Sequence, residues 1–579
     1  MVQSVRVTLV SAGARSPLRI WGSDRGLDPS ALRPGRDLVL EAHHGRAAAF
    51  EKGVLLDDWL DAPVRQAIDR EADASLRRWR AARDAQLEVR GVPLPWVYEI
   101  QLLTDVFLRD VRTVLGVGHA VARLAPGHGV LERVDPQLAA YLAVMLAETG
   151  VNARLGAAAA PPSYPIAFPA PSPTGARRAI SLLRQSAGAP QRIRGSVLIM
   201  PFWHLAPLWE RLSRSPATRP VVDPALSPPA GARELAGLLR RGGWIGHPDV
   251  SDRVRSRRAV ARAMSGAKGA PPGLDGLLDA RALAFLAAVA GDSVAVGDRL
   301  RRAFQSGLRA VVVPTDVSAF ARLAALAGRS AGRGSLVQVQ HGFLACLPGP
   351  RGEPQSWVDG MAAERVAVWS ERDVSHLAPR APGEISLTGN PGGIGFDHAP
   401  DRRDRRALVL VQLPTTISCI IGPRATSQHL EAAFAGLAAA RPGTSVIVRP
   451  HPFDRERDHY RLLAARYPEL RVELDATTPI GALMGRCDVC VGSTSTATLQ
   501  AAASGVRTAF LNTTGVPTEW PLGEGQPFPA AGDADELAGL VAELDRSPEV
   551  PGRKAALDAL GVRGDALERV VALVEAAVG

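Results

Sequence analysis

At 579 residues the chain is too long for one hydrophobic core, so two or three domains are expected. Its 46% hydrophobic and 22% charged content is ordinary for a folded globular protein, and no uninterrupted apolar run is long enough to read as a membrane-spanning helix. The net charge of +10, from 68 basic and 58 acidic residues, suits an anionic substrate or an anionic membrane face. It suits nucleic acid equally, but no RNP, zinc-finger or homeodomain pattern is present, so nucleic acid is set aside as a partner.

The first ten residues are too polar for a signal peptide and read as a strand over 5–10. Four cysteines (Cys346, Cys419, Cys487, Cys490) in so long a chain argue against a disulfide framework, and a cytoplasmic protein is expected. A charged amphipathic run predicts a helix over 64–90, and a second helix is predicted over 98–115. His43 and His44 follow the apolar run 37–40 and read as a loop. Residues 157–173 hold six prolines among Ala and Ser, the composition of an extended linker.

From residue 195 the pattern alternates. Apolar runs over 195–200, 310–314, 335–340, 365–369 and 384–388 read as buried strands of a parallel sheet, with a helix over 319–326. Residues 215–280, broken by Pro and Gly and rich in Arg, read as a flap. The charged segment 401–406 marks a boundary. A second alternating unit follows, with strands over 407–413, 444–448, 470–474, 488–491 and 508–511 and helices between them. Strands alternating with helices predict an α/β protein of two doubly wound, Rossmann-like domains facing a cleft, with a helical N-terminal extension. The boundaries are 1–156 for the N-terminal region, 157–180 for the linker, 181–403 for the first Rossmann-like domain and 404–579 for the second.

The candidate chemistry lies just beyond predicted strands, where ligands bind in such sheets. His341 and Gly342 follow the strand over 335–340. His341 is placed for catalysis or phosphate binding, although a structural histidine fits the position as well; Gly342 admits close backbone approach. Arg449, His451 and Pro452 follow the strand over 444–448 as a rigid loop with phosphate donors. Asn390, in Thr388-Gly389-Asn390-Pro391, reads as a turn near the cleft. Gly492, Ser493, Thr494, Ser495 and Thr496 turn a strand into a helix, an arrangement that binds anions through free N–H groups, hydroxyls and the helix dipole. Asp316 beyond the strand over 310–314 reads as a general base or as a helix cap. His204 beyond the strand over 195–200 reads first as structural. Asp475 to Pro479 read as a helix cap, and Cys487 and Cys490, with no second pair to complete a zinc set, as core. P-loop, nucleophile-elbow and zincin motifs are absent, and no Asp-x-Asp pair sits at a strand end, so no metal is expected.

Over residues 335–515 the order of these motifs resembles the C-terminal half of bacterial surface-polysaccharide glycosyltransferases of GT-B type. That broad group includes capsule and polysialyltransferase-like enzymes and the CDP-glycerol polymerases. The resemblance implies a metal-independent transferase that builds a cell-surface polysaccharide or glycoconjugate from a nucleotide sugar (CMP-, CDP- or UDP-linked) on a glycan or lipid-linked acceptor. It implies no further cofactor, and a place in the cytoplasm or at the inner face of the plasma membrane. It gives His451 and Ser493 to Thr496 the nucleotide phosphates and His341 the cleft, as a catalytic group or a phosphate ligand; on the residue reading, His341 or Asp316 is the base. Gln500 stands where relatives often carry a ribose-binding Glu. A CDP-polyol phosphotransferase, a nucleotide-sugar 2-epimerase and an inactive binding scaffold are the alternatives. The first 330 residues match no family.

Overall fold

The computed structural model describes residues 17–579 apart from 24–26, 42–49, 160–191, 194–195, 201–202, 216–217, 219, 222–242, 245–249, 268, 270, 343–346, 349–353, 356–361, 380, 382, 394–405, 411–422, 451–457, 494, 514–527, 529 and 548. The expected strand over 5–10, the expected linker from residue 160 onward, His43 and His44 lie outside the described residues.

The N-terminal region is built on a parallel sheet of its own. Strands β1 (Leu18–Trp21) and β2 (Asp37–Val39) precede helices α1 (Ala62–Arg83) and α2 (Arg109–Leu124). Then come β3 (His128–Glu132), α3 (Pro136–Glu148) and β4 (Asn152–Leu155), and the strand order is β2-β1-β3-β4. Helix α1 starts where Asp61 accepts the Val64 N–H and ends at Arg83, short of the predicted residue 90. The helix predicted over 98–115 is divided. A π-helical turn over Leu103–Leu108 separates α2 from a short helix at Glu99–Leu102.

The first large sheet begins with β5 (Val197–Ile199), followed by α4 (Ala206–Leu212) and β6 (Pro220–Val221). The segment read as a flap forms α5 (Val250–Gly266) and the start of the 33-residue α6 (Gly273–Gln305). Helix α6 is long and apolar enough to cross a bilayer by length and mean hydropathy alone, although charged residues such as Asp279, Arg281 and Asp292 interrupt its apolar run. Its Leu278, Phe285, Leu286, Val289 and Phe304 are instead packed in the largest core. Strand β7 (Ala310–Val313), α7 (Ala319–Ser330), β8 (Ser335–Val339), β9 (Arg365–Val368), α8 (Glu371–Leu377) and β10 (Glu384–Leu387) complete the sheet, in the parallel order β10-β9-β8-β7-β5-β6.

The second large sheet contains β11 (Arg406–Leu410), α9 (Pro423–Ala440), β12 (Ser445–Arg449), β13 (Arg471–Leu474), α10 (Ile480–Gly485) and β14 (Val489–Gly492). Helix α11 (Thr496–Ala503), β15 (Arg507–Leu511), β16 (Ala530–Ala531), α12 (Ala534–Arg546) and α13 (Arg553–Ala559) follow, and α14 (Ala566–Val578) ends the chain. The order is β13-β12-β11-β14-β15-β16, again all parallel. Two doubly wound parallel units after an N-terminal extension make an α/β fold of GT-B type.

Strand alternation sorts each sheet's residues onto two faces. In the first, Val311, Val313, Leu336, Val366 and Val368 face α6 and α7, while Ala310, Val312, Val337, Val339 and Ala367 face the opposite side. That opposite side is covered by α4 and by Val570, Val571, Leu573 and Val574 of α14. The sequence reading carried the second domain to residue 579, but its last helix packs on the first domain's sheet. Each of those four side chains stabilises the return by roughly 1.5–3 kcal/mol, an upper figure. In the second sheet Val446, Val448, Val489 and Val491 face α9 and α12. Leu408, Ile447 and Cys490 face the other way, with Leu483 and Cys487. Both cysteines are fully buried and free, and burial pushes the Cys487 thiol up to about 12, so this pair is core.

Candidate active site at the strand ends

In each large sheet the strand order reverses once. The first reverses between β5 and β7, the second between β11 and β14. Such a reversal opens a crevice beyond the carboxyl ends of the two strands. His204 and Asp316 follow the two strands of the first reversal, and Ser493, Ser495 and Thr496 follow β14 of the second.

His204 lies beyond β5, Asp316 beyond β7 and His341 beyond β8. His341 Nδ1 is 3.0 Å from the Pro314 carbonyl oxygen. A carbonyl only accepts, so Nδ1 carries the hydrogen and the neutral ring keeps its lone pair on Nε2. Burial holds the His341 pKa below the ordinary histidine range, while the bond to Pro314 opposes the shift more weakly. The ring is therefore neutral near pH 7, in the form a general base requires. His204 is fully buried, with Nε2 3.2 Å from Val339 O and its ring centroid 6.5 Å from that of His341. Burial, with a smaller contribution from His341, pushes the His204 pKa down to about 3.

Asp316 is fully buried as well, and its Oδ2 accepts from the amides of Ala362 (2.6 Å) and Ala363 (3.0 Å). This carboxylate ties the segment before β9 to the end of β7. It has the geometry of a backbone anchor, whereas a base must reach a substrate hydroxyl.

Gln340, at the end of the predicted strand over 335–340, has a role that the sequence does not announce. Its Oε1 accepts from Trp369 N at 2.8 Å, and its Nε2 donates to Gly342 O at 2.9 Å and to Asp373 Oδ2 at 3.1 Å. One buried amide thus holds the His341-Gly342 turn to the end of β9 and the start of α8. Ser370 Oγ donates to the same Asp373 oxygen at 2.8 Å, and burial raises the Asp373 pKa. A polar residue closing the apolar run 335–339 was the one available signal for this post.

In the second sheet, β14 ends in Gly492 and opens through Ser493 and Ser495 into α11. Ser495 caps the helix, accepting from Thr498 N at 3.2 Å. Thr498 Oγ1 donates to Ser493 O at 2.8 Å and lies 2.9 Å from Ser495 Oγ. Gly492 is required here, because a Cβ would lie 2.6 Å from Thr498 Oγ1. The first amides of α11, those of Thr496 and Ala497, precede the capped one, so the helix presents its positive end at the crevice.

The two crevices meet. A Cβ on Gly342 would lie 3.1 Å from Thr496 Oγ1, so the turn of the first sheet and the hydroxyl turn of the second lie in contact. Arg449 is the last residue of β12, and its Nη1 donates to Asp475 O at 3.2 Å. Asp475 itself accepts from the amides of Thr477 and Thr478; the Thr478 hydroxyl first, then these amides, hold its pKa down at about 2, and the expected helix starts at Ile480 behind Pro479. Gln500 is buried on α11. Asn390 serves its own turn: Nδ2 donates to Gly393 O (2.7 Å), Oδ1 accepts from Gly392 N (3.0 Å), and its backbone N–H donates to Gly561 O (2.9 Å). It joins β10 to the segment between α13 and α14 and has the geometry of a structural turn. His451, Pro452 and Thr494 lie outside the described residues. Among the described residues no group of three or more His, Cys, Asp or Glu is placed to hold a metal ion.

No protein-family model matches the chain, and no curated protein matches it. Among solved structures the chain is similar to a putative UDP-N-acetylglucosamine 2-epimerase from Listeria monocytogenes, at 15% identity over 66% of this chain and 95% of that one, with a TM-score of 0.38. It is similar to the calicheamicin glycosyltransferase CalG4 at 13% identity over 67% and 99%, TM-score 0.36. It is also similar to the wall teichoic acid polymerase TagF at 10% identity over 49% and 85%, TM-score 0.29. Superpositions this loose transfer no residue's role.

Proposed function

We propose that the protein is a nucleotide-sugar-dependent glycosyltransferase of the cytoplasm or inner membrane face. In this reading it acts without a metal ion or further cofactor and builds a surface polysaccharide or glycoconjugate. The observation that carries the reading is the contact of the His341-Gly342 turn with the Ser/Thr turn at Thr496. A neutral base at one crevice then adjoins an anion-binding helix end at the other.

The donor's diphosphate or monophosphate lies at Gly492, Ser493, Ser495 and Thr496 in this reading. Arg449 ends β12, two strands away from β14, and Thr494 and His451 keep the phosphate role that the resemblance implies. Gln500 faces the ribose. The acceptor hydroxyl approaches from the first domain. His341 Nε2 takes its proton as the acceptor oxygen bonds to the anomeric carbon. The bond from that carbon to the phosphate oxygen breaks, and its electron pair leaves on the phosphate. The positive end of α11 and the hydroxyl donors stabilise that charge.

His341→Ala is expected to lower turnover by about 10²–10⁴-fold, the range for a positioned base. It should cost about 1–3 kcal/mol of stability for the lost bond to Pro314 O and leave the nucleotide-induced thermal shift of the folded protein in place. Turnover within threefold of wild type would remove His341 from the base role.

A further inference from the structure

Helix α5 supports an inference independent of the catalytic reading. Its 17 residues span about 25 Å and carry a single acid, Asp252, which is buried. One side, with Asp252, Ser256 and Val260, is buried against the protein. The outward side carries Arg255, Arg257, Arg258 and Arg262, all exposed, with Val254 and Ala261 exposed between them. Val254, Arg258 and Arg262 recur at four-residue spacing, so they form one stripe along the helix.

The carboxylates nearby do not neutralise this stripe. Asp252 is held by Arg255 and by Arg302 at 3.1 Å, and Asp292 by Arg257 at 3.0 Å. Arg258 and Arg262 have no carboxylate partner among the described residues. The hairpin that packs beside α5 adds Glu88 and Arg90, and Arg90 is itself paired with Asp298.

We propose that this face of α5 docks the protein on an anionic phospholipid surface. Arginines interleaved with small and aliphatic side chains suit a headgroup layer, where charge supplies the attraction and Val254 a modest apolar contact. The helix offers no aromatic ring for stacking on bases, which weighs against a single-stranded nucleic acid.

Flotation of the full chain with phosphatidylglycerol vesicles tests this, with phosphatidylcholine vesicles as the neutral control. Wild type should float with the anionic vesicles at low salt, release at high salt and ignore the neutral ones. Arg258→Ala with Arg262→Ala should lower partition about 25-fold, at about fivefold for each arginine. The Lys pair at the same positions should keep binding, which separates charge from folding. An Ala pair that floats like wild type, or wild type that floats equally with neutral vesicles, would overturn the proposal. So would failure to float combined with arginine-dependent binding of an oligonucleotide. None of these results bears on His341.

Discussion

Replacing His204 by Gln isolates the acid sensitivity built into the first crevice. In the folded chain the buried ring resists protonation, with its pKa at about 3, whereas in the unfolded chain it titrates at the ordinary value near 6.5. Above pH 6.5 both states hold the ring neutral and it adds no pH dependence. As pH falls from there towards 3, the unfolded state gains a proton that the folded state does not, so stability is lost through that window. From pH 7 to pH 5 the loss from this residue amounts to about 2 kcal/mol, at 1.36 kcal/mol for each unit the unfolded ring is pulled past its own pKa. Gln does not titrate and keeps an N–H for Val339 O, whose bond to Nε2 is 3.2 Å long. Urea unfolding of wild type and variant at both pH values gives the comparison. The wild type should lose about 2 kcal/mol more than the variant between them. His429, whose pKa burial also lowers, steepens both curves equally and cancels in the difference. Identical pH dependence in the two proteins would refute the burial argument for His204.

The other expectations concern the site. Asp316→Asn should cost about 1–3 kcal/mol in unfolding free energy, because one amide oxygen replaces a carboxylate serving two buried N–H groups, and should keep most of the turnover. A turnover loss as large as that of His341→Ala at unchanged stability would make Asp316 the base. Gly492→Ala places a Cβ 2.6 Å from Thr498 Oγ1, so it should cost about 1–3 kcal/mol and reduce the thermal shift induced by UDP, CDP, CMP or GDP. A full shift in that variant would move the phosphate away from the α11 end.

The two large sheets are legible in the sequence because their strands are short apolar runs buried on both faces. Val311 to Val313, Val446 to Val448 and Val489 to Val491 are all at most 1% exposed, and each is bounded by Pro, Gly or charge. The strand-end position of His341 and of the Ser/Thr turn follows from the same runs. The N-terminal sheet is not legible in this way. Its strands are three to five residues long and carry charges at Arg19, Asp37 and Arg154, so no apolar run marks them as buried strands. Helix α6 is hidden by its glycines, which look like breaks. Gly291 is instead a contact point, where a Cβ would lie 2.5 Å from Arg257 Cγ on α5. Helix α14 is legible as a helix, but its attachment to the first sheet depends on shape across the whole chain and leaves no local trace. The bonding of Asp316 and Asn390 is hidden for another reason: sequence places a polar group at a strand end without showing which backbone groups it meets there.

The contact between the two crevices is supported from behind. The residue that follows β9 is Trp369, whose amide is held by Gln340. Its ring is fully buried among Leu499, Ala502 and Ala503 of α11, Phe510, Phe528 and Leu560. Its indole Nε1 has no hydrogen-bond partner among the described residues, a cost of about 1–3 kcal/mol that a Phe at this position would avoid. The indole is therefore held for the volume it fills between the domains. Helix α11 is thus met by the first domain twice, by Gly342 near its N-terminus and by Trp369 along its later turns, and Gln340 holds both contacts in one network. Separating the domains along α11 would open a cavity the size of an indole, whereas a rotation about Trp369 would not. A rotation about Trp369 keeps the His341-Gly342 turn beside the start of α11.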